Sequence, residues 1–269
     1  MKTKFKNQIF QINKRDFVKG YEVNNLKYAL FPNDDAITKS IIQGWQYQQY
    51  MFDFFSFNHI NLTGKDIIDV GANNGNFAID FAHMVGDNGK VHAFEPQRII
   101  YYQLCGNVFI NGIDNIICKN YAIGEKEGVV EIEVPNYYED STYVNFGNVH
   151  INNGRQAKKE LVEMKMVDSF EFNDVAFIKI DVQGYEPFVI DGAANTILKH
   201  RPFMMVEFEQ PNLELFGSNE EKLMNKIRSL GYELKRMHEG VNYGTYNNGL
   251  CADFICIPEE KISEIVKIP

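Results

Sequence analysis

The run Asp66-Ile-Ile-Asp-Val-Gly-Ala-Asn-Asn-Gly75 constrains this chain more than any other stretch. Its apolar residues, ending in Asp69, read as a short strand, and glycines 71 and 75 bracket a turn that opens a helix. Gly71 lets a ligand come close to the backbone, and Gly75 starts the helix without a Cβ clash. The helix start presents N–H groups that have no partner within the helix.

The same rhythm continues downstream. Strands are expected over 65–70, 90–95, 115–119, 175–181 and 202–209, and helices over 75–85, 97–111, 185–199 and 220–230. Residues 129–134 extend the sheet or form a hairpin. Residues 232–237 and 252–257, joined by the polar segment 240–249, read as an antiparallel pair. Strands alternating with helices imply an α/β fold, a mostly parallel sheet covered by helices on both faces.

Residues 1–60 look different and are expected to form an N-terminal cap on a domain spanning 61–269. Within the cap, 9–31 reads as small strands or an irregular lead-in. Residues 38–57 read as one aromatic-rich helix, either packed on the main domain or lying over a ligand cleft as a lid. The stretch 136–159 is polar, rich in Asn, Tyr and Gly, and without period, so it reads as an insertion, either a functional acceptor loop or a mobile connection. Its Tyr137, Tyr138 and Tyr143 either stack against a sugar face or are ordinary loop residues.

With 269 residues, 45% of them hydrophobic, the chain can bury a sizeable core without disulfide or metal support. A net charge of -9 and the lack of a long Lys/Arg run argue against tight, sequence-independent nucleic-acid binding, which depends on neutralising phosphates. Cys105, Cys118, Cys251 and Cys256 form no Cys-x-x-Cys pair, which suggests reduced thiols and a cytoplasmic setting. No apolar run approaches the length of a membrane span, and none follows the basic start as a signal sequence would.

The turn after Asp69 is not a dinucleotide fingerprint. A Gly-x-Gly-x-x-Gly run from Gly71 would need glycines where Asn73 and Asn76 stand, and a pyrophosphate needs that bare backbone. Polar side chains (Asn73, Asn74) and an acid suit a cationic, phosphate-free nucleoside such as S-adenosylmethionine. Glu95, followed by Pro96, lies at the tip of the second expected strand, where a carboxylate can accept both ribose hydroxyls. Asn120-Tyr121-Ala122, at the end of the third, is placed to meet adenine through backbone groups.

These residues and others in order resemble the FkbM-type methyltransferases. The resemblance is carried by Asp69-Val-Gly-Ala-Asn-x-Gly, His92-Ala-Phe-Glu-Pro-Gln, Leu104-x-x-Asn107-x-x-x-Asn111, Phe177-Ile-Lys-Ile-Asp-Val-x-Gly184-x-Glu186 and Arg201-Pro-x-x-x-x-Glu207. It covers roughly residues 65–210. It implies a class I methyltransferase fold, Rossmann-like with a seven-stranded, mostly parallel sheet, S-adenosylmethionine as donor, and a hydroxyl acceptor, often on a sugar or natural product. One departure stands out: the family has Asp-Val-Glu-Gly where this chain has Asp181-Val-Gln183-Gly184.

A hydroxyl is a poor nucleophile until its proton is being removed, so a general base or a metal is expected. Asp181, ending a strand beside the switch point of the sheet, is the first choice as base, and it borders the donor as well. Glu207 and Glu209 end the next strand on one face. With Asp181 they could hold a divalent cation through oxygen ligands, or they could be hydrogen-bonded strand ends. His238 is an alternative base. Lys179, inside the strand before Asp181, is expected to form a salt bridge with Asp69 or Glu207, or to snorkel to the sheet edge. The expected activity is O-methylation of a small acceptor, a sugar or glycan. The alternatives are a non-catalytic module that binds S-adenosylmethionine, and an NAD-dependent oxidoreductase. The number of subunits is left open.

Overall fold

The computed structural model describes residues 18–31, 36–44, 47–135, 151, 158–237 and 251–268. The chain enters through an antiparallel pair, β1 (Lys19–Val23) and β2 (Leu26–Leu30). Asn24 and Asn25 make its turn with positive φ, a conformation asparagine tolerates. Two helices follow, α1 (Ala36–Ile42) and α2 (Gln49–Phe57), where the sequence suggests a single one. Gly44 and Gln48, at φ 73° and 50°, account for the break, since left-handed residues cannot continue a right-handed helix.

The αβ alternation then runs as read from the sequence. Its elements are β3 (Asp66–Val70), α3 (Asn76–Val85), β4 (Lys90–Phe94), α4 (Arg98–Ile110) and β5 (Ile116–Lys119). After β6 (Ala122–Ile123), β7 (Gly128–Val134) and β8 (Lys158–Lys165) come β9 (Val175–Ile180), α5 (Glu186–Gly192) and α6 (Ala194–His200). β10 (Phe203–Glu209), α7 (Gln210–Leu215), α8 (Glu220–Ser229), β11 (Tyr232–Arg236) and β12 (Cys251–Pro258) complete the order. The helix expected over 185–199 is divided at Gly192, which packs against the Gly124 backbone so closely that a Cβ would lie 1.9 Å from its carbonyl oxygen.

Seven strands form the main sheet in the order β11-β12-β10-β9-β3-β4-β5. β10, β9, β3, β4 and β5 are parallel, and β12 pairs antiparallel with both β10 and β11. The closing hairpin is therefore as expected, with its second strand inserted between the first and the rest. β7 does not extend this sheet. It pairs with β8, which also pairs with β6, in a separate three-stranded sheet. β8 was not expected at all. Only Val162 and Met164 of its eight residues are buried, and Leu161 is exposed, so little apolar patterning marks it.

Two apolar layers cover the main sheet. On one face Phe77 and Phe81 of α3 and Phe54 and Phe55 of α2 meet Phe177 and Phe203, the Phe55–Phe177 centroids lying 4.9 Å apart. α2 is thus part of the core. On the other face Val189, Ile197, Leu223 and Ile227 pack on Ile68, Ile178 and Val206. The chain order reverses between β3 and β9, and the C-terminal ends of β3, β4, β9 and β10 converge there, the usual ligand crevice of such sheets.

Candidate active site

The turn from Gly71 to Gly75 sits in that crevice. Gly71 has φ 84°, and a Cβ there would lie 1.9 Å from the backbone oxygen of Asp181, so the turn and the loop after β9 touch through bare backbone. Asn73 is left-handed at φ 50°; its Oδ1 accepts from Asn74 N at 2.7 Å. Asn74 Oδ1 accepts from Asn76 N at 3.2 Å, serving a free donor of the α3 start.

Glu95 is buried, and its two oxygens are held from behind by main-chain donors: Asn73 N at 3.0 Å and Gln97 N at 2.8 Å. These bonds fix the carboxylate plane while each oxygen keeps a lone pair for a further donor. A cavity lined by Gly71, Glu95, Pro96, Tyr121, Ala122 and Asp181, with Ile132 and Ile151 as an apolar wall, opens beside it. Asn120 adds a side-chain role to the backbone one expected of it. Its Nδ2 donates to the carbonyls of Glu95 and Pro96, at 2.8 and 2.9 Å, tying the end of β4 to the chain after β5. Ile151 comes from the expected insertion and bridges to Ile132 on β7. The tyrosines at 137, 138 and 143 lie outside the described residues, as does His238.

The fully buried Lys179 organises the acidic side of the crevice. Its Nζ lies 3.0 Å from Asp181 Oδ2 and 3.9 Å from Asp69 Oδ1, with the Phe77 ring centre 4.9 Å away. Burial works against its charge, but the two carboxylates outweigh burial and hold its pKa above the ordinary value. Burial likewise opposes the charge on Asp181, but Lys179 and hydrogen bonds from Lys179, Glu207 and Gln183 hold it below the ordinary carboxylate value. Asp181 keeps 24% of its side chain exposed, toward the cavity it lines. Glu207 is the reverse case. Burial, then the charges of Asp181 and Asp253, push it well above its usual value, opposite in direction to Asp181.

Gln183 explains its departure from the family pattern by position. It is left-handed at φ 55°, and its Nε2 donates to Asp181 Oδ1 at 3.2 Å and Glu207 Oε2 at 2.8 Å, while Oε1 accepts from Asn212 at 3.2 Å. A neutral donor therefore stands between two acids. The same contacts bear on the metal reading of Asp181, Glu207 and Glu209. Among the described residues no group of three or more His, Cys, Asp or Glu side chains is arranged to hold a metal ion. Asp181 is taken by the Lys179 ammonium, Glu207 by Gln183, and Glu209 by Asn212 Nδ2 at 2.6 Å.

The sequence reading missed three participants. Asp253 on β12 stands opposite Glu207, and its Oδ2 accepts from Tyr50 Oη and, at 2.9 Å, from Gln48 Nε2. The start of α2 is thereby fastened to the acidic end of β10 and β12. Only the aromatic crowding around Tyr50 hinted at this; nothing in the spacing ties residue 50 to residue 253.

Buried acids set a pH dependence. Burial raises Asp69 and Asp253 to about 6, and Glu95 and Glu186 to about 7. Each folded pKa exceeds its unfolded value near 4, so the folded chain holds protons that the unfolded chain releases. Their contribution to stability is complete below about pH 4 and is lost as pH rises through 6 to 7. Depressed acids such as Glu260, at about 2 beside Arg201, act in the opposite sense only at lower pH, while His92 and His200, lowered by burial, offset part of the loss below about pH 6.5. The ligand-free protein is expected to melt about 5 °C lower at pH 8 than at pH 5.5. A flat or rising melting temperature over that range contradicts these burial effects.

Among the described residues no helix is long and apolar enough to cross a membrane. The family model described as "Methyltransferase FkbM domain" matches residues 69–234, more than half of the chain. A solved FkbM methyltransferase from Methylobacillus flagellatus KT is 18% identical, with a TM-score of 0.49, covering 71% of this chain and 43% of that one. This chain therefore spans less than half of that protein's length. A SAM-dependent methyltransferase from Aquifex aeolicus is 13% identical over 75% of this chain and 87% of that one, TM-score 0.42. The AdoMet complex of M. jannaschii TYW2 is 12% identical over 91% and 86%, TM-score 0.42. No curated protein sequence matches this one.

Proposed function

Because the chain belongs to the family of FkbM methyltransferase domains, S-adenosylmethionine-dependent enzymes, we propose that it methylates a hydroxyl of a small acceptor, a sugar or glycan. The observation that carries this reading is the partly exposed Asp181, paired with Lys179 at the cavity that Gly71 and Glu95 also line.

The residues present fit the donor. Gly71 lets the turn meet the Asp181 backbone at the cavity edge, Glu95 offers two oriented oxygens to the ribose, and Tyr121, Ala122, Ile132 and Ile151 offer apolar walls to adenine. The donor supplies a methyl group already activated by positive sulfur. Asp181 positions the acceptor hydroxyl and takes its proton as the new C–O bond forms, and the electrons of the broken C–S bond stay with sulfur. Lys179 keeps Asp181 ionised before the transfer, and the Gln183 amide orients it. The raised pKa of Glu207, set by its burial and by the Asp181 charge, favours its neutral form and limits the repulsion a second charge would create. The free thiols Cys105, Cys118 and Cys256 suit a cytoplasmic enzyme.

The test is transfer of labelled methyl from S-adenosylmethionine to a panel of sugars and glycans, with and without chelator. Label on a hydroxyl, unaffected by chelator, is expected, since Lys179 already sits where a cation would neutralise Asp181. Donor binding without transfer to any acceptor would favour a non-catalytic module, and activity abolished by chelator would restore a metal.

A further inference from the structure

The motif Leu104-x-x-Asn107-x-x-x-Asn111 has no part in the chemistry above, and its asparagines do something else. They stand four residues apart on α4 and so share one face. That face meets the edge of β2 that β1 leaves free. Asn111 exchanges two bonds with Lys27: Lys27 N donates to Oδ1 at 2.8 Å, and Nδ2 donates to the Lys27 carbonyl at 2.7 Å. One step along, Ala29 N donates to Asn107 Oδ1 at 2.7 Å, and Gln103 Nε2 donates to the Ala29 carbonyl at 2.7 Å. Side-chain amides thus replace a missing strand, satisfying backbone groups that would otherwise be stranded.

Asn107 differs from Asn111 in where its second bond goes. Asn111 Nδ2 turns back to the Asn107 carbonyl at 2.7 Å. Asn107 is fully buried, and its Nδ2 donates to the Asn74 carbonyl at 2.8 Å, inside the turn between Gly71 and Gly75. One side chain therefore joins the N-terminal hairpin to the turn. Phe31, just past β2, makes a second link, packing with Ala122 and Ile132, which line the cavity.

We propose that Asn107 is a positioning residue for the donor, holding the turn between Gly71 and Gly75 through the Asn74 carbonyl. The proposal rests on the reading of that cavity as the S-adenosylmethionine site. Asn107→Asp keeps an oxygen for Ala29 N but removes the donor to Asn74. Asn111→Asp removes a comparable donor from the hairpin edge and leaves Asn74 alone.

The measurement is calorimetric affinity for S-adenosylhomocysteine, with melting temperature recorded for each variant. Asn107→Asp is expected to weaken binding about tenfold or more, and Asn111→Asp to lower melting temperature while affinity stays within about twofold. If a charge at 107 prevents folding, the pair Asn107→Ala and Asn111→Ala gives the same comparison. Equal affinity in wild type and a folded Asn107 variant overturns the proposal. So does equal weakening in both positions, which is what a merely structural clamp would give. No binding to the wild type removes the donor reading itself, and the proposal with it.

Discussion

Gly71→Ala is expected to weaken S-adenosylhomocysteine binding by at least about 100-fold and to lower the melting temperature as well. The added Cβ would lie 1.9 Å from the Asp181 carbonyl oxygen and 3.0 Å from its carbon. These are backbone atoms of the loop that carries the proposed base, so no side-chain rotation relieves the clash. The φ of 84° adds the strain of a left-handed residue, about 1–2 kcal/mol. Either the turn leaves its conformation or the loop from 181 to 184 moves off, and both destroy the geometry around the cavity. Gly64 is the internal control. It has φ 74°, yet a Cβ there meets nothing within 4 Å, so Gly64→Ala should show the conformational strain alone and bind the donor normally. Wild-type affinity in Gly71→Ala would mean that the turn is not the donor site.

Asp181→Asn should retain donor affinity within a few-fold and lose about 100-fold or more in turnover. The amide can still hydrogen-bond but cannot take the acceptor proton. Because Lys179 also touches Asp69, its charge keeps one partner, at 3.9 Å, and the fold should survive. Gln183→Glu offers a complementary test without deleting the base. A carboxylate placed between Asp181 and Glu207 removes a donor from each and adds a negative group beside Asp181. The acid limb of the pH–rate profile should move up by about one unit, since Asp181 then holds its proton to higher pH. Undiminished turnover in Asp181→Asn would remove Asp181 from the chemistry, and an unmoved profile in Gln183→Glu would show that residue 183 does not tune it.

The parallel core was legible because its signals are local. Asp66–Val70 is a buried apolar strand followed at once by glycines, and the spacing to Glu95 follows from one helix and one strand. Lys179 could be assigned a carboxylate partner because a fully buried ammonium requires one. What escaped the reading depends on contacts distant in sequence. The Tyr50–Asp253 bond spans 203 positions, and the register of β12 against β10 decides that Asp253 faces Glu207. A hairpin partner such as β8 is hidden by its exposure, with polar residues on both faces for much of its length. The Asn120 side chain is a further case: its amide reaches back to the carbonyls of Glu95 and Pro96, a contact no local pattern announces.

The most direct measurement is the crystal structure of the protein with S-adenosylhomocysteine. Both ribose hydroxyls should meet the Glu95 carboxylate, the sulfur should lie beside Gly71 with Asp181 across the cleft, and the adenine should rest between Tyr121, Ile132 and Ile151. A nucleoside bound elsewhere, or a cavity that stays empty at saturating ligand or fills with NAD instead, would contradict the account.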